Sequence, residues 1–148
     1  METIEKTVKV DRPVSTVYNQ WTQFEEFPRF MDGVEQVTQL SDARQRWEAQ
    51  IMGVRRDWEA EITRQEPDRL IEWVGFGGEG NTGTITFDPV GDHTRVTLRM
   101  DWEPSGMVEK AGDVLNIVDR RIEGDLERFK EFIEERDTET GAYRGEIG

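Results

Sequence analysis

The sequence predicts an α+β fold: a curved antiparallel sheet of about seven strands wrapped around one long C-terminal helix, with two short helices after the first strand. Three observations carry this. From residue 33 to 103, apolar and polar residues alternate between turn residues, as half-buried antiparallel strands require. Over residues 106–136 the period switches to 3.6, and Val108, Ala111, Leu115, Val118, Ile122, Leu126, Phe129 and Ile133 fall on one narrow stripe. A single strand precedes both regions and runs through Pro13 into helical spacing.

The elements follow in order. Residues 3–10 place Ile4, Lys6, Val8 and Val10 on one side and Thr3, Glu5, Thr7 and Lys9 on the other. Asp11-Arg12-Pro13 punctuates, and Val14, Val17, Tyr18 and Trp21 recur at helical spacing. Phe24, Phe27, Phe30 and Met31 form a second short apolar segment interrupted by Pro28. A strand from Gly33-Val34 through Leu40 comes next, ended by Ser41-Asp42. Gln45, Trp47, Ala49 and Ile51 then face one way, and after a turn at Met52-Gly53 so do Arg56, Trp58, Ala60 and Ile62. Ile71 and Trp73, then Gly83, Ile85 and Phe87, then Val96, Leu98, Met100 and Trp102 continue the apolar face. Ser105 suits the N-cap of the final helix, with Glu109 in its first turn. About 30 residues at 1.5 Å each give a helix of roughly 45 Å, which must cross the apolar face of the sheet to cover its stripe. A straight helix on a curved sheet leaves space for a cavity between them. Residues 1–136 read as one domain, and 137–148, rich in Thr, Glu and Gly, as a flexible tail.

Composition narrows the function. The 148 residues carry 19 Lys+Arg against 32 Asp+Glu, a formal charge of −13. That excess opposes a nucleic-acid partner and adsorption to anionic lipid, both of which need clustered positive charge. The absence of cysteine excludes disulfides, thiolate metal sites and thiol nucleophiles, and a single histidine excludes a multi-His metal site. No metal or cofactor is expected. No apolar run reaches the roughly 18 residues of a membrane span, and the N-terminus is unlike a signal peptide. The expectation is a soluble cytoplasmic protein, monomeric or homodimeric. Only four basic residues are lysine (Lys6, Lys9, Lys110, Lys130), which fits either GC-rich codon usage or a salt-loving host.

Several strings resemble the START-like (SRPBCC) superfamily, and within it the bacterial polyketide cyclase/dehydrase and lipid-transport group. They are Val10-Asp11-Arg12-Pro13-Val14, Val17-Tyr18-Asn19-Gln20-Trp21 and Phe24-Glu25-Glu26-Phe27-Pro28-Arg29-Phe30-Met31. Trp58-Glu59-Ala60-Glu61-Ile62, Arg69-Leu70-Ile71-Glu72-Trp73 and Glu123-Gly124-Asp125-Leu126-Glu127-Arg128-Phe129-Lys130 extend the resemblance over roughly residues 2–136. It implies the helix-grip fold. Members include lipid carriers, quinone-binding proteins and polyketide cyclases, so fold alone does not choose among them.

The candidate functional residues follow from the pattern. Gly75-Phe76-Gly77-Gly78-Glu79-Gly80 matches G-x-G-x-x-G, but a strand follows it where a dinucleotide site needs a helix, so it reads as a hairpin connection. His93 sits in turn residues Gly91-Asp92-His93-Thr94 and reads as an exposed loop residue. Trp47, Trp58, Trp73 and Trp102 take inward strand positions. Flat rings suit an apolar pocket, and an indole N–H can orient a ligand carbonyl. Phe27, Phe30, Met31, Trp47, Ile51 and Trp58 are expected to line the cavity on one side. Trp73, Phe87, Leu98, Met100, Leu115 and Val118 are expected to complete it. Arg56 is a charge at an inward strand position, Asp119 borders the helical stripe, and Tyr18 lies on the first short helix; these three are the candidate acid/base groups. The leading expectation is non-catalytic binding of a lipid, isoprenoid, quinone or polyketide. The alternatives are a polyketide cyclase or dehydratase and an interaction module whose cavity is filled by its own side chains.

Overall fold

The computed structural model describes residues 2–51, 53–76, 81–102, 111–136 and 138–148. Strand β1 is Glu2–Val10 and helix α1 is Val14–Trp21. Pro13 starts α1: it lacks an N–H that the helix would leave unpaired, and its carbonyl accepts from Val17 N–H at 3.1 Å. Phe24–Arg29 forms a 3-10 helix, which contains Pro28. A proline cannot donate to a helical ladder, so the segment stays short. Six strands follow: β2 (Val34–Gln39), β3 (Arg44–Ile51), β4 (Val54–Glu66), β5 (Leu70–Phe76), β6 (Thr82–Val90) and β7 (His93–Trp102). Helix α2 spans Ala111–Glu134. The expected N-cap at Ser105, with Glu109, falls outside the described residues.

The strands form one seven-stranded antiparallel sheet in the order β1-β7-β6-β5-β4-β3-β2. The meander β2–β7 is thus completed at its far edge by the first strand. Rows of paired residues cross the concave face. Ile4 faces Met100, Met100 faces Gly83, Gly83 faces Trp73, and Trp73 faces Ile62. The next row runs Lys6, Leu98, Ile85, Ile71. A bulge in β4 between Ile62 and Arg64 shifts the inward phase, so Ile62 and Gln65 are both buried although three residues apart.

Helix α2 lays the predicted stripe against these rows: Ile122, Leu126, Phe129 and Ile133 are all buried. Phe129 meets Trp21 edge-on at 4.9 Å and Phe30 at 5.3 Å, and Trp21 meets Phe27 at 5.0 Å. Such pairs add about 0.5–1.5 kcal/mol each beyond the area they bury. Arg12 donates to the carbonyls of Glu134 and Arg136, and Asp11 N–H donates to Glu134 Oε2 at 2.7 Å. The Arg12 bonds satisfy orphan carbonyls at the end of α2.

Residues 138–148, expected to be flexible, lie along α1 and β4. Gln20 exchanges two hydrogen bonds with Thr140, at 3.0 and 2.9 Å. Arg144 donates to Asn19 Oδ1 at 2.6 Å and pairs with Asp68 at 2.8 Å. Ile147 and Gln65 exchange backbone bonds of 2.8 and 3.0 Å. Asn19, Gln20 and Gln65 are buried and need these partners.

Candidate functional site

The site is built on the concave face toward the β3–β4 end of the sheet. Trp47 and Trp58 are a cross-strand pair. Their rings stack with centroids 6.1 Å apart and planes 7° from parallel. Trp73 lies flat across its partner Gly83: a Cβ there would sit 2.4 Å from the indole and 2.8 Å from Arg99 O. The Trp73 N–H donates to Asn81 Oδ1 at 2.7 Å. Ala49 and Ala60, two residues beyond Trp47 and Trp58 on their strands, are small and buried. The three indoles remain half-buried. Trp47 Nε1 is covered yet has no hydrogen-bond partner. Leaving such a donor unmet costs about 1–3 kcal/mol.

The predicted lining therefore divides. Phe27, Phe30, Phe87, Leu98 and Met100 are buried in the core, while Met31, Trp47, Trp58, Trp73 and Val118 keep accessible surface. Phe27 joins the two groups through an edge-on contact with Trp47 at 5.6 Å. The side chains of Ile51 and Leu115 lie outside the described residues, as do Trp102's side chain and Gly77–Gly80 of the glycine-rich connection. That connection joins two antiparallel strands, β5 and β6, as expected for a hairpin.

The three candidate acid/base groups stand on three different elements, α1, α2 and β4. Tyr18 is fully buried; its hydroxyl accepts from Gln65 Nε2 at 2.9 Å and its ring meets Phe87 at 5.3 Å. Burial pushes its hydroxyl pKa up, against the opposing Gln65 bond. Asp119 pairs with Lys6 at 2.7 Å, and Glu123 takes the same ammonium at 3.3 Å. Those bonds, Asp119 first, raise the Lys6 pKa. Arg56 is half-buried on β4 opposite Ala49. Tyr18 and Asp119 share no contact among the described residues. His93 opens β7 with its Nδ1 2.9 Å from Asp11 Oδ1, out of line for a hydrogen bond.

Asp125, a buried carboxylate on α2, is not among the residues that the sequence pattern singles out. It accepts from Asp32 N–H at 3.0 Å and from Arg128. Burial raises its pKa to about 6, against the pull of those two donors. A helical position one short of Leu126 and next to the stripe was the available signal; its loop partner was not. A separate cleft of about 250 Å³, lined by Phe24 and by polar groups including Thr22, Gln23, Glu25, Gln65 and Tyr143, includes none of Trp47, Trp58 and Trp73. Among the described residues, no group of three or more His, Asp or Glu is placed to hold a metal ion. No described helix is long and apolar enough to cross a membrane.

A curled seven-stranded antiparallel sheet closed on a long C-terminal helix is the START-like fold. A START superfamily protein from Mycobacterium smegmatis has this fold: TM-score 0.67 at 21% identity, covering 85% of this chain and 97% of that one. The Zhui aromatase/cyclase from Streptomyces sp. R1128 superposes with TM-score 0.77 at 18% identity, covering 96% and 99%. The chain belongs to the polyketide cyclase/dehydrase and lipid transport family, which matches residues 10–131. An uncharacterized 17.2 kDa protein of Streptomyces lincolnensis is 48% identical over 149 residues, 99% of each chain. Members of the superfamily bind hydrophobic ligands or act as aromatase/cyclases.

Proposed function

We propose that the protein binds a hydrophobic small molecule of the lipid, isoprenoid, quinone or polyketide kind against the β3–β4 end of the concave face. The observation that carries this reading is the contrast within the predicted lining: three tryptophans stay half-buried beside a core that is otherwise closed. Apolar surface left accessible on an inward face is the surface a ligand covers, at about 25 cal/mol per Å². The unmet Trp47 N–H favours a ligand that carries a carbonyl or hydroxyl oxygen, once a small shift of the stack exposes the donor. Trp47, Trp58, Trp73, Met31 and Val118 are the proposed contacts.

The catalytic alternative gives proton transfer to Arg56, Asp119 and Tyr18. The Tyr18 hydroxyl is held inside the core and Asp119 is engaged by Lys6, which favours binding over turnover. The test has two parts. Native and denaturing mass spectra of the purified protein, with organic extraction, look for a retained compound. Titration with the neutral apolar dye N-phenyl-1-naphthylamine follows dye emission and indole quenching. The expected result is saturable uptake that weakens at least about tenfold in Trp58→Ala, a loss of about 1.4 kcal/mol. No retained compound together with no dye uptake by the folded protein overturns the reading and favours a self-filled cavity.

A further inference from the structure

Helix α2 is tied to the sheet along both of its sides, and the two ties differ in chemistry. On the β1 side, Lys6 reaches Asp119 and Glu123 through exposed ion pairs. On the β2–β3 side, three residues on one face of α2 hold backbone groups instead. Arg121 donates to Gln50 O at 3.0 Å. Asp125 accepts from Asp32 N–H at 3.0 Å. Arg128 donates to Phe30 O at 2.8 Å and also pairs with Asp125. The spacing of four and then three residues stacks the three side chains on adjacent turns.

Two glycines make this contact possible. Gly33 has φ +87°, and a Cβ on it would lie 2.6 Å from Arg121 Nη1 and 2.7 Å from Gln50 O. Gly33 O also accepts from Gln50 N–H at 2.7 Å, so the start of β2 and the end of β3 move as one rim. Gly124 leaves the flank of Arg128 clear, since a Cβ there would come within 3.0 Å of its guanidinium. Gln50 lies on the same strand as Trp47, so this rim borders the proposed binding surface.

Resting on that binding reading, we infer that Arg121, Asp125 and Arg128 form a clasp across the mouth between α2 and the β2–β3 rim, and that the charge on Asp125 sets how often it opens to pass ligand. The charges around Asp125 are Arg121 and Arg128 on α2 and Asp32 on the loop. Glu26 and Arg29 of the 3-10 helix pair with each other at 2.9 Å, and among the described residues β3 meets this face of α2 through the neutral Gln50 carbonyl. Closing the clasp buries the carboxylate, and opening it returns the group to water. Burial outweighs its partners, so the closed form binds the proton more tightly than the open form. Protonation therefore holds the clasp shut, and ionisation near neutral pH loosens it.

The test needs no ligand in its first part. Hydrogen exchange of the Asp32 amide, corrected for intrinsic chemistry, reports opening directly. The expected result is that opening rises roughly tenfold or more from pH 5 to pH 7.5 in the native protein and is flat in Asp125→Asn. Arg121→Ala, which leaves Asp125 in place, should raise opening several-fold at every pH. Stopped-flow exchange of N-phenyl-1-naphthylamine should follow the same pattern. An Asp32 profile that is pH-independent, or identical in Asp125→Asn, overturns the clasp. Dye exchange that ignores both variants while Asp32 responds overturns its gating role. Absence of any dye uptake with the Asp32 result intact removes the binding reading and leaves the clasp standing.

Discussion

The two ends of the grip use aromatic residues in opposite ways. At the α1 end, Tyr18, Trp21, Phe27, Phe30, Phe87 and Phe129 interlock edge-on and none exposes more than 4% of its surface. At the β3–β4 end, Trp47 and Trp58 stack face to face and keep part of their surface open. Edge-on packing draws each ring into contact with several others and leaves no free face. A parallel stack engages one face of each ring. The first end is arranged to hold the fold together, and the second keeps apolar surface in reserve.

The α1 end depends most on Phe129. Phe129→Ala should cost about 3–5 kcal/mol in urea unfolding, because it removes the ring that joins α2 to Trp21 and Phe30. A loss below about 1.5 kcal/mol would mean that the α1 end is not the mechanical core. The next effect lies on the seam, at Asp125. Its folded pKa of about 6 stands above the ordinary 3.8, so its contribution is present at low pH and lost as pH rises through 6. The shift corresponds to about 3 kcal/mol at most. Glu134 runs the other way. Burial alone would raise its pKa, but the Lys130 ammonium and Asp11 N–H outweigh burial and hold it low. Its stabilising contribution is therefore lost as pH falls through that lowered value. Urea unfolding of Asp125→Asn across pH 4–7 should lack the decline with rising pH that the native protein shows from this group; an unchanged slope would remove Asp125 as its source.

Gly83→Ala forces a Cβ against the Trp73 ring and the Arg99 carbonyl, and should cost about 1–3 kcal/mol while altering Trp73 emission. Trp58→Ala should cost only about 1.5–2.5 kcal/mol, half of what a fully buried ring loses, because the residue already keeps part of its surface in solvent. A cost near that of Phe129→Ala would place Trp58 in the core and take it out of the proposed binding surface.

The sheet was legible because alternation is a local property. The inward placement of Trp47, Trp58, Trp73, Ile85 and Met100 follows from period two alone. The stripe through Ile122, Leu126, Phe129 and Ile133 was equally plain, since one helix face must be apolar to be covered. Periodicity failed to find Gln65, because the bulge after Ile62 shifts the phase by one residue. It also gave no partners for polar groups. Lys6 was placed on the apolar side of β1, yet nothing local says that Asp119 and Glu123 receive it. Asp125, Arg128 and the contacts of residues 138–148 with Asn19 and Gln20 likewise join parts of the chain about 90 to 120 residues apart. Their chemistry becomes readable only when the chain has closed.

The position of β1 at the far edge of the sheet has a kinetic consequence. Strands β2 to β7 pair with their sequence neighbours and can zip as successive hairpins. β1 must instead find β7, with Glu2 pairing to Trp102 and Val10 to Thr94. Loop-closure entropy opposes such distant pairing until most of the meander exists. β1 is therefore expected to add late in refolding, and variants confined to its contacts with β7 should speed unfolding more than they slow folding.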